Sequence, residues 1–289
     1  MLDYCMIQKR NWLVLALIIV VGGQVFAQEK ISIASFNLRI FGQSKAEKEP
    51  VLKAISEIIK KFDIIAIQEI RDKEETAILL LMNEINKETR SYDYLVGPRL
   101  GRTSSKEQYA FIYRNDRIKY DYFPITWNDD EEDIFEREPY LANFYTTEGT
   151  FDFVLINIHT KPEDAQSEIK TLPRIMKFAE DYYGEEDVIC LGDFNADGSY
   201  YNEENYRDIF PVEEYIWIIT NEADTNVAKS DRTYDRIAGT IATKEDYSNE
   251  WGVLRFDEIE MNGSGTLKAL DISDHYPIWA LFYTNNDTD

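Results

Sequence analysis

Residues 188–200, from Val188 to Tyr200, read V-I-C-L-G-D-F-N-A-D-G-S-Y. Val188, Ile189, Cys190 and Leu191 form a short apolar run of the kind a buried strand uses. Gly192 interrupts it, and Asp193, Asn195 and Asp197 follow at alternate positions. If the strand direction continues, all three project to the same side of its end. A carboxylate beside an amide at a strand tip is a common setting for chemistry in α/β enzymes. Such a pair can hold a hard divalent cation, or the amide can donate to a phosphate oxygen while the carboxylate handles metal or water. An Asx-rich turn has the same composition, so the rest of the chain decides.

Around this stretch lie further strand-like runs. Ile31 to Phe36 alternates and delivers Asn37, Leu38 and Arg39; Asp63 to Ile67 ends in Gln68-Glu69-Ile70-Arg71-Asp72; Phe151 to His159 ends on a histidine. Tyr92 to Val96, Gln108 to Tyr113, the segment opening at Tyr234 and the closing Ser273 to Phe282 add more. Helical spacing marks Pro50 to Phe62, about Glu74 to Lys87, and Glu163 to Tyr183, the last broken or kinked at Pro173. Tyr201 to Asp231 reads as a looser region. Strands outnumber helices and alternate with them only in part, which points to a sandwich of two mixed sheets with helices outside. No linker, repeat or low-complexity block divides the chain, so one domain is expected over 28–289.

The first 27 residues have the form of a secretory signal peptide: Lys9-Arg10, an apolar run from Trp12 to Val21, and Val25 and Ala27 before the expected cleavage point. The run is short for a membrane span. Export as a secreted or periplasmic protein without an anchor follows, and the loss of Cys5 leaves Cys190 alone with no internal disulfide. The formal net charge of −23 excludes nucleic-acid binding through a broad basic surface. A polyanionic substrate must instead be held locally, by a few arginines and by metal ions.

Polar residues able to bind metal or move a proton recur at the strand ends: Asn37, Glu69, His159, Asp193 and Asn195, with Asp274-His275 preceding the last strand. The chain has only two histidines, and both stand at such boundaries. Phosphodiester hydrolysis needs what this set offers: positive charge on the phosphate oxygens, a base for water and an acid for the leaving alkoxide. Histidine suits both proton roles, given a carboxylate to fix its tautomer. Glu69 with Asn37 suits Mg²⁺.

The strings S-F-N-L-R (35–39), I-Q-E-I-R-D (67–72), R-E-P (137–139), L-G-D-F-N-A-D (191–197), Y-D-R-I (234–237) and S-D-H-Y-P (273–277) resemble, in order and approximate spacing, those of the endonuclease/exonuclease/phosphatase superfamily. Within it the chain is most similar to the deoxyribonuclease I branch, from about Ile31 to Phe282. The resemblance implies a four-layer α/β/β/α sandwich of two mixed β-sheets flanked by helices. It also implies a monomeric, metal-dependent endonuclease, acting on DNA with little sequence specificity and leaving 5′-phosphate ends. Carried over by motif, His159 with Glu107 and His275 with Asp235 are the two His–carboxylate dyads, His275 as base and His159 as acid. Glu69 and Asn37 hold Mg²⁺ or Mn²⁺, Asp193 and Asp274 are metal or water ligands, and Asn195 meets a phosphate oxygen. Arg39, Arg71 and Arg137 contact DNA. Ca²⁺ enters as a structural ion near Asp224-Thr225 and the loop from Asp129 to Glu138.

Several positions depart from the branch. Ser105 stands where it has a sugar-stacking tyrosine, Gln108 where an arginine is usual, and Gly198 and Arg232 where its disulfide is expected. Two other readings use the same motifs: a phosphodiesterase or phosphatase acting on lipid head groups or inositol phosphates, and a binding protein without catalysis. Glu107 in its Lys106-Glu107 context, Arg71 and Y-D-R-I favour the nuclease.

Overall fold

The continuous apolar runs belong to strands buried on both faces, and their alternation sorts side chains between cores. A computed structural model of the protein describes residues 28–89, 91–129, 131–259 and 267–288; the expected signal peptide, 1–27, lies outside them. One sheet is built from β1 (Lys30–Phe41), β2 (Ile64–Ile70), β3 (Tyr92–Val96) and β4 (Gln108–Arg114), with β12 (Tyr247–Val253) and β13 (Ile278–Tyr283). The other contains β5 (Ile118–Tyr120), β6 (Ile125–Thr126), β7 (Tyr140–Thr146), β8 (Asp152–His159), β9 (Val188–Asp193), β10 (Tyr215–Trp217) and β11 (Asp235–Thr240). Their orders are β12-β13-β1-β2-β4-β3 and β10-β11-β9-β8-β7-β5, with β6 on β7.

The two sheets repeat one pattern. β1 and β2 are parallel, with antiparallel neighbours β13 and β4 outside them. β9 and β8 are likewise parallel, with antiparallel β11 and β7 outside. Ile33, Ile64, Ala66 and Phe111 from the first sheet meet Phe144, Leu155, Ile189 and Leu191 from the second in the central core. Alternate residues of the same strands face outward. Phe36, Ile65 and Ile67 pack with Ile55, Ile58 and Leu81 of α2 (Glu49–Ile59) and α3 (Ala77–Ile85), behind the short α1 (Gln43–Ala46). Val154, Ile156, Val188 and Cys190 pack with Leu172, Ile175 and Met176 of α4 (Ala165–Tyr183). The α/β/β/α layering is as expected.

Helix α4 is not broken at Pro173: Ile169, Leu172, Ile175 and Met176 are all fully buried around it, and that burial outweighs the roughly 3 kcal/mol an interior proline costs. The region from Tyr201 to Asp231 holds only short elements, among them α5 (Tyr206–Ile209) and β10.

Gly192 is required where β9 passes β8. Its φ is +149°, and a Cβ there would fall 1.9 Å from the Ile158 carbonyl oxygen. Gly192→Ala is therefore expected to cost about 2–4 kcal/mol, measured as a lowered urea midpoint; an unchanged midpoint would show that β8 and β9 can separate here.

Candidate active site

The parallel strand pairs of the two sheets point their C-terminal ends to one edge of the sandwich, and the backbone there is bent to aim side chains inward. The β1–β2 register shifts between Asn37 and Phe41, and the β2–β4 register between Ile67 and Ile70. Within or beside these irregularities Arg39, Ile40 and Glu69 have φ of 44°, 52° and 60°, and Asn195 beyond β9 has 47°. Each costs on the order of 1–3 kcal/mol and persists only where the surroundings enforce it. They do so by hydrogen bonds: the Arg39 N–H donates to Asn37 Oδ1 (2.8 Å) and the Ile40 N–H to Glu69 Oε2 (2.8 Å).

Two dyads face one carboxylate. Nδ1 of His159 lies 2.8 Å from Glu107 Oε1, and Nδ1 of His275 lies 2.8 Å from Asp235 Oδ2. Each imidazole thereby turns Nε2 towards Asp193 Oδ2, at 3.5 Å for His159 and 3.4 Å for His275. The same oxygen accepts from the Asn37 amide (3.0 Å), which also donates to Glu69 Oε1 (3.2 Å).

The charges are strongly coupled. Burial alone would raise the Asp193 carboxyl, but the two histidines, the Asn195 N–H and the Asn37 amide hold it below its usual range. Burial pushes the His275 imidazole down, yet the Asp235 and Asp193 carboxylates outweigh it and lift it well above 6.5. His159 is also raised: Glu107 and Asp193 overcome burial and the nearby Arg137 charge. Glu107, although burial would raise it, is brought down to about 2 by His159, Arg137 and Arg71.

The residues singled out from sequence come together here, with one correction to their geometry. Arg137 is buried, as are His159 and Asn195. The Arg137 guanidinium donates to the His159 carbonyl (3.0 and 2.8 Å) and pairs with Glu107, because Glu107 would otherwise be an uncompensated buried charge. The correction is that Asp193, Asn195 and Asp197 do not share a side. The strand ends at Asp193; Asn195 donates its side-chain amide to the Thr160 carbonyl (2.9 Å), and Asp197 accepts from the Thr233 N–H (2.8 Å). Arg71 is partly exposed, its Nε 3.2 Å from Glu69 and 3.3 Å from Glu107, and it donates to Ser105 Oγ (3.3 Å). Arg39 reaches Asp274 at 3.2 Å. Gln108 is buried and donates to the Gly97 carbonyl. The Arg232 side chain passes beside Gly198 and pairs with Asp197 at 3.3 Å.

The donor set fits a hard cation. Glu69 and Asp193 converge on one amide group, and Glu69, Glu107 and His159 bring ligand atoms within 4.8 Å of one another. His159 Nδ1 is already committed to Glu107, which leaves carboxylate oxygens, ligands of Mg²⁺-like ions, while the Asn37 Oδ1 accepts from the Arg39 N–H.

Residues 34–275 match the model of the Endonuclease/Exonuclease/phosphatase family. The chain is 34% identical over 259 residues to deoxyribonuclease gamma of Homo sapiens, covering 85% of this chain and 84% of that one. It is 30% identical over 279 residues to deoxyribonuclease-1 of Bos taurus, covering 93% and 98%. The chain belongs to the endonuclease/exonuclease/phosphatase family. Within that family it is a hydrolase of the deoxyribonuclease I-like branch. An endonuclease/exonuclease/phosphatase family protein of Bacteroides thetaiotaomicron superimposes with a TM-score of 0.64 at 16% identity, over 90% of this chain and all of that one, and shares the fold.

Sequence reading missed residues that support this family site from behind. The Tyr109 hydroxyl accepts from the His159 N–H at 2.8 Å, and Ser273 Oγ donates to the Asn37 carbonyl at 2.6 Å. Ser273 was signalled by its place in S-D-H; a tyrosine inside an apolar strand carries no such signal.

Because the Glu107 carboxyl sits lower in the folded enzyme than in the unfolded chain, it stabilises the fold above pH 4.5, and that stabilisation is lost as pH falls towards 2. Glu107→Gln removes a contribution on the order of 3 kcal/mol at neutral pH. Urea unfolding between pH 3 and 7 should therefore show a flatter acid limb in the variant; parallel limbs would contradict the assignment.

Proposed function

We propose that this enzyme is an exported, metal-dependent endonuclease that hydrolyses DNA phosphodiester bonds with little sequence specificity, leaving 5′-phosphate ends. Residues 1–27 act as the signal peptide and 28–289 as a single, monomeric domain without a stable protein partner; among the described residues no helix is long and apolar enough to cross a membrane. The observation that carries the reading is the pair of imidazoles, each backed by a carboxylate, turning their Nε2 atoms to one Asp193 oxygen. The deoxyribonuclease relatives support DNA as the substrate.

In this mechanism His275 takes a proton from the attacking water at Nε2, while Asp235 holds its Nδ1–H and stabilises the imidazolium. His159, already biased to its protonated form, gives its Nε2 proton to the departing O3′ as the P–O bond breaks. Glu107 keeps that ring oriented, and Arg137 keeps Glu107 ionised. Asn195 and Asp274 flank the phosphate, and Arg39 and Arg71 offer guanidinium edges to the DNA backbone or minor groove. A hard divalent ion, Mg²⁺ or Mn²⁺, held by Glu69 and Asn37 would supply positive charge to the phosphate oxygens and offset the carboxylates that keep His275 protonated.

Mature protein should nick supercoiled plasmid with Mg²⁺ and fail with EDTA, and His159→Ala or His275→Ala should each lower the rate by about 10²–10⁴-fold. A plasmid left intact by folded, metal-binding protein, with turnover of lipid or inositol phosphodiesters instead, would replace the DNA reading. Absence of turnover on any phosphoester would make the chain a binding protein.

Ca²⁺ as a structural ion is a separate part of the proposal. The Asp224 carboxylate already meets Arg255 at 2.9 Å, and Asp129 accepts from the Phe135 N–H at 2.7 Å. Millimolar Ca²⁺ should nonetheless raise the melting temperature; an unmoved transition would remove this ion.

A further inference from the structure

Lys45 lies in α1, in the plain polar string Gln43-Ser44-Lys45-Ala46, and its ammonium is turned inward. Nζ donates to the carbonyls of Leu38 (2.7 Å), Arg39 (3.0 Å) and Ile272 (2.5 Å). All three N–H bonds of the ammonium are thereby spent on main-chain oxygens. Two of those carbonyls lie at the start of the bulge in β1: Leu38 precedes it and Arg39 belongs to it, Arg39 and Ile40 having φ of 44° and 52°. The third ends the short helix α6 (Ala269–Ile272) immediately before Ser273-Asp274-His275.

These two segments carry much of the active site. The β1 stretch sets Asn37 against Asp193 and Glu69, and its Ile40 N–H donates to Glu69 Oε2. The segment after Ile272 carries His275 to Asp235 and Asp274 to Arg39. Ser273 Oγ adds one direct link between them through the Asn37 carbonyl. A strained bulge and a loop that must hold a dyad to fractions of an ångström are tied by Ser273 Oγ, by Arg39 to Asp274 and Leu270, and by this part-buried ammonium, which bonds three carbonyls across the two segments. Burial lowers this ammonium to about 8 despite the nearby Asp274 and Glu69 charges. It is therefore held there at a cost that an ordinary surface lysine avoids.

We propose that Lys45 is a positioning residue of the phosphodiesterase site, clamping the β1 bulge to the Ser273–His275 segment so that Asn37 and Glu69 stay in register with His275. It does not touch the substrate. The proposal rests on the nuclease reading for its kinetic test, and on geometry alone for its structural one.

Lys45→Met keeps the length and apolar stem of the side chain and removes the donors. Plasmid nicking should show kcat lowered by about 10²-fold with KM within about twofold. Amide hydrogen exchange should quicken about tenfold or more across 38–41 and 273–275 and stay unchanged in β8 and β9. Lys45→Cys alkylated with 2-bromoethylamine restores an ammonium at the same reach and should recover kcat; wild-type protein treated alike is the control, its single mature cysteine, Cys190, being fully buried. If Lys45→Met does not fold, Lys45→Arg takes its place: it keeps the charge, but a planar fork cannot converge on three carbonyls, so kcat should fall there too. Wild-type kcat and exchange in the Met or Arg variant would overturn the proposal, as would an alkylated, folded Cys variant that stays slow. Wild-type protein that nicks no plasmid would defeat the functional reading, while the exchange measurement would still decide the clamp.

Discussion

The Asp193 carboxylate is the constraint on which the rest of the site depends. It is buried at the end of β9, where water cannot solvate it, and an isolated charge in such a place is expensive. Its ionised form persists because two imidazoles, the Asn37 amide and the Asn195 N–H crowd around it. The dependence runs both ways. The same carboxylate helps to raise both histidines, so the ionisation of neither can be understood without it. Glu107 and Asp235 then fix the tautomers from behind, and Arg137 neutralises Glu107. The order of assembly is electrostatic: one buried anion calls for two imidazoles, and these call for two more anions and an arginine.

That order also explains how the arginines are used in a chain with a formal charge of −23. Arg71 lies between Glu69 and Glu107, Arg137 is committed to Glu107, and Arg39 meets Asp274. The positive charge nearest the site therefore mainly compensates the site's own carboxylates. A phosphate approaching this edge meets little free positive charge, and the balance must come with it or from ions.

The fold was legible because its strands are buried on both faces. Continuous apolar runs such as Asp63 to Ile67 and Val188 to Leu191 cannot be mistaken for surface. The histidines stood out because only two exist and both stand at strand boundaries, whereas their carboxylate partners came from the family resemblance and not from any local pattern. What escaped was set by backbone that the local pattern does not encode. Asn195 and Asp197 leave the line of Asp193 because the strand stops and φ turns positive at Asn195, whereas alternation assumes that it continues. Arg137 reads as a surface cation until Glu107, thirty positions earlier in the chain, is seen buried beside it. Pro173 reads as a break until the packing on both sides of it is known. In the last two cases a long-range contact overrode a reasonable local inference.

Each dyad joins the two sheets. His159 ends β8 of the second sheet and its Glu107 precedes β4 of the first; His275 precedes β13 of the first and its Asp235 opens β11 of the second. Asn37 to Asp193 crosses in the same way. The site therefore exists only while the sheets hold one register, and apolar packing alone, being non-directional, sets that register loosely. Polar bonds buried just beneath the site fix it. The Gln68 amide donates to Asn157 Oδ1 at 2.7 Å, and the Asn157 amide donates to the carbonyls of Ile67 and Ala110 at 3.1 Å each. A slip of one residue would strand all of these donors without acceptors, at a cost of about 1–3 kcal/mol apiece. The polar ties that look out of place in an apolar core are what hold the two halves of the active site against each other.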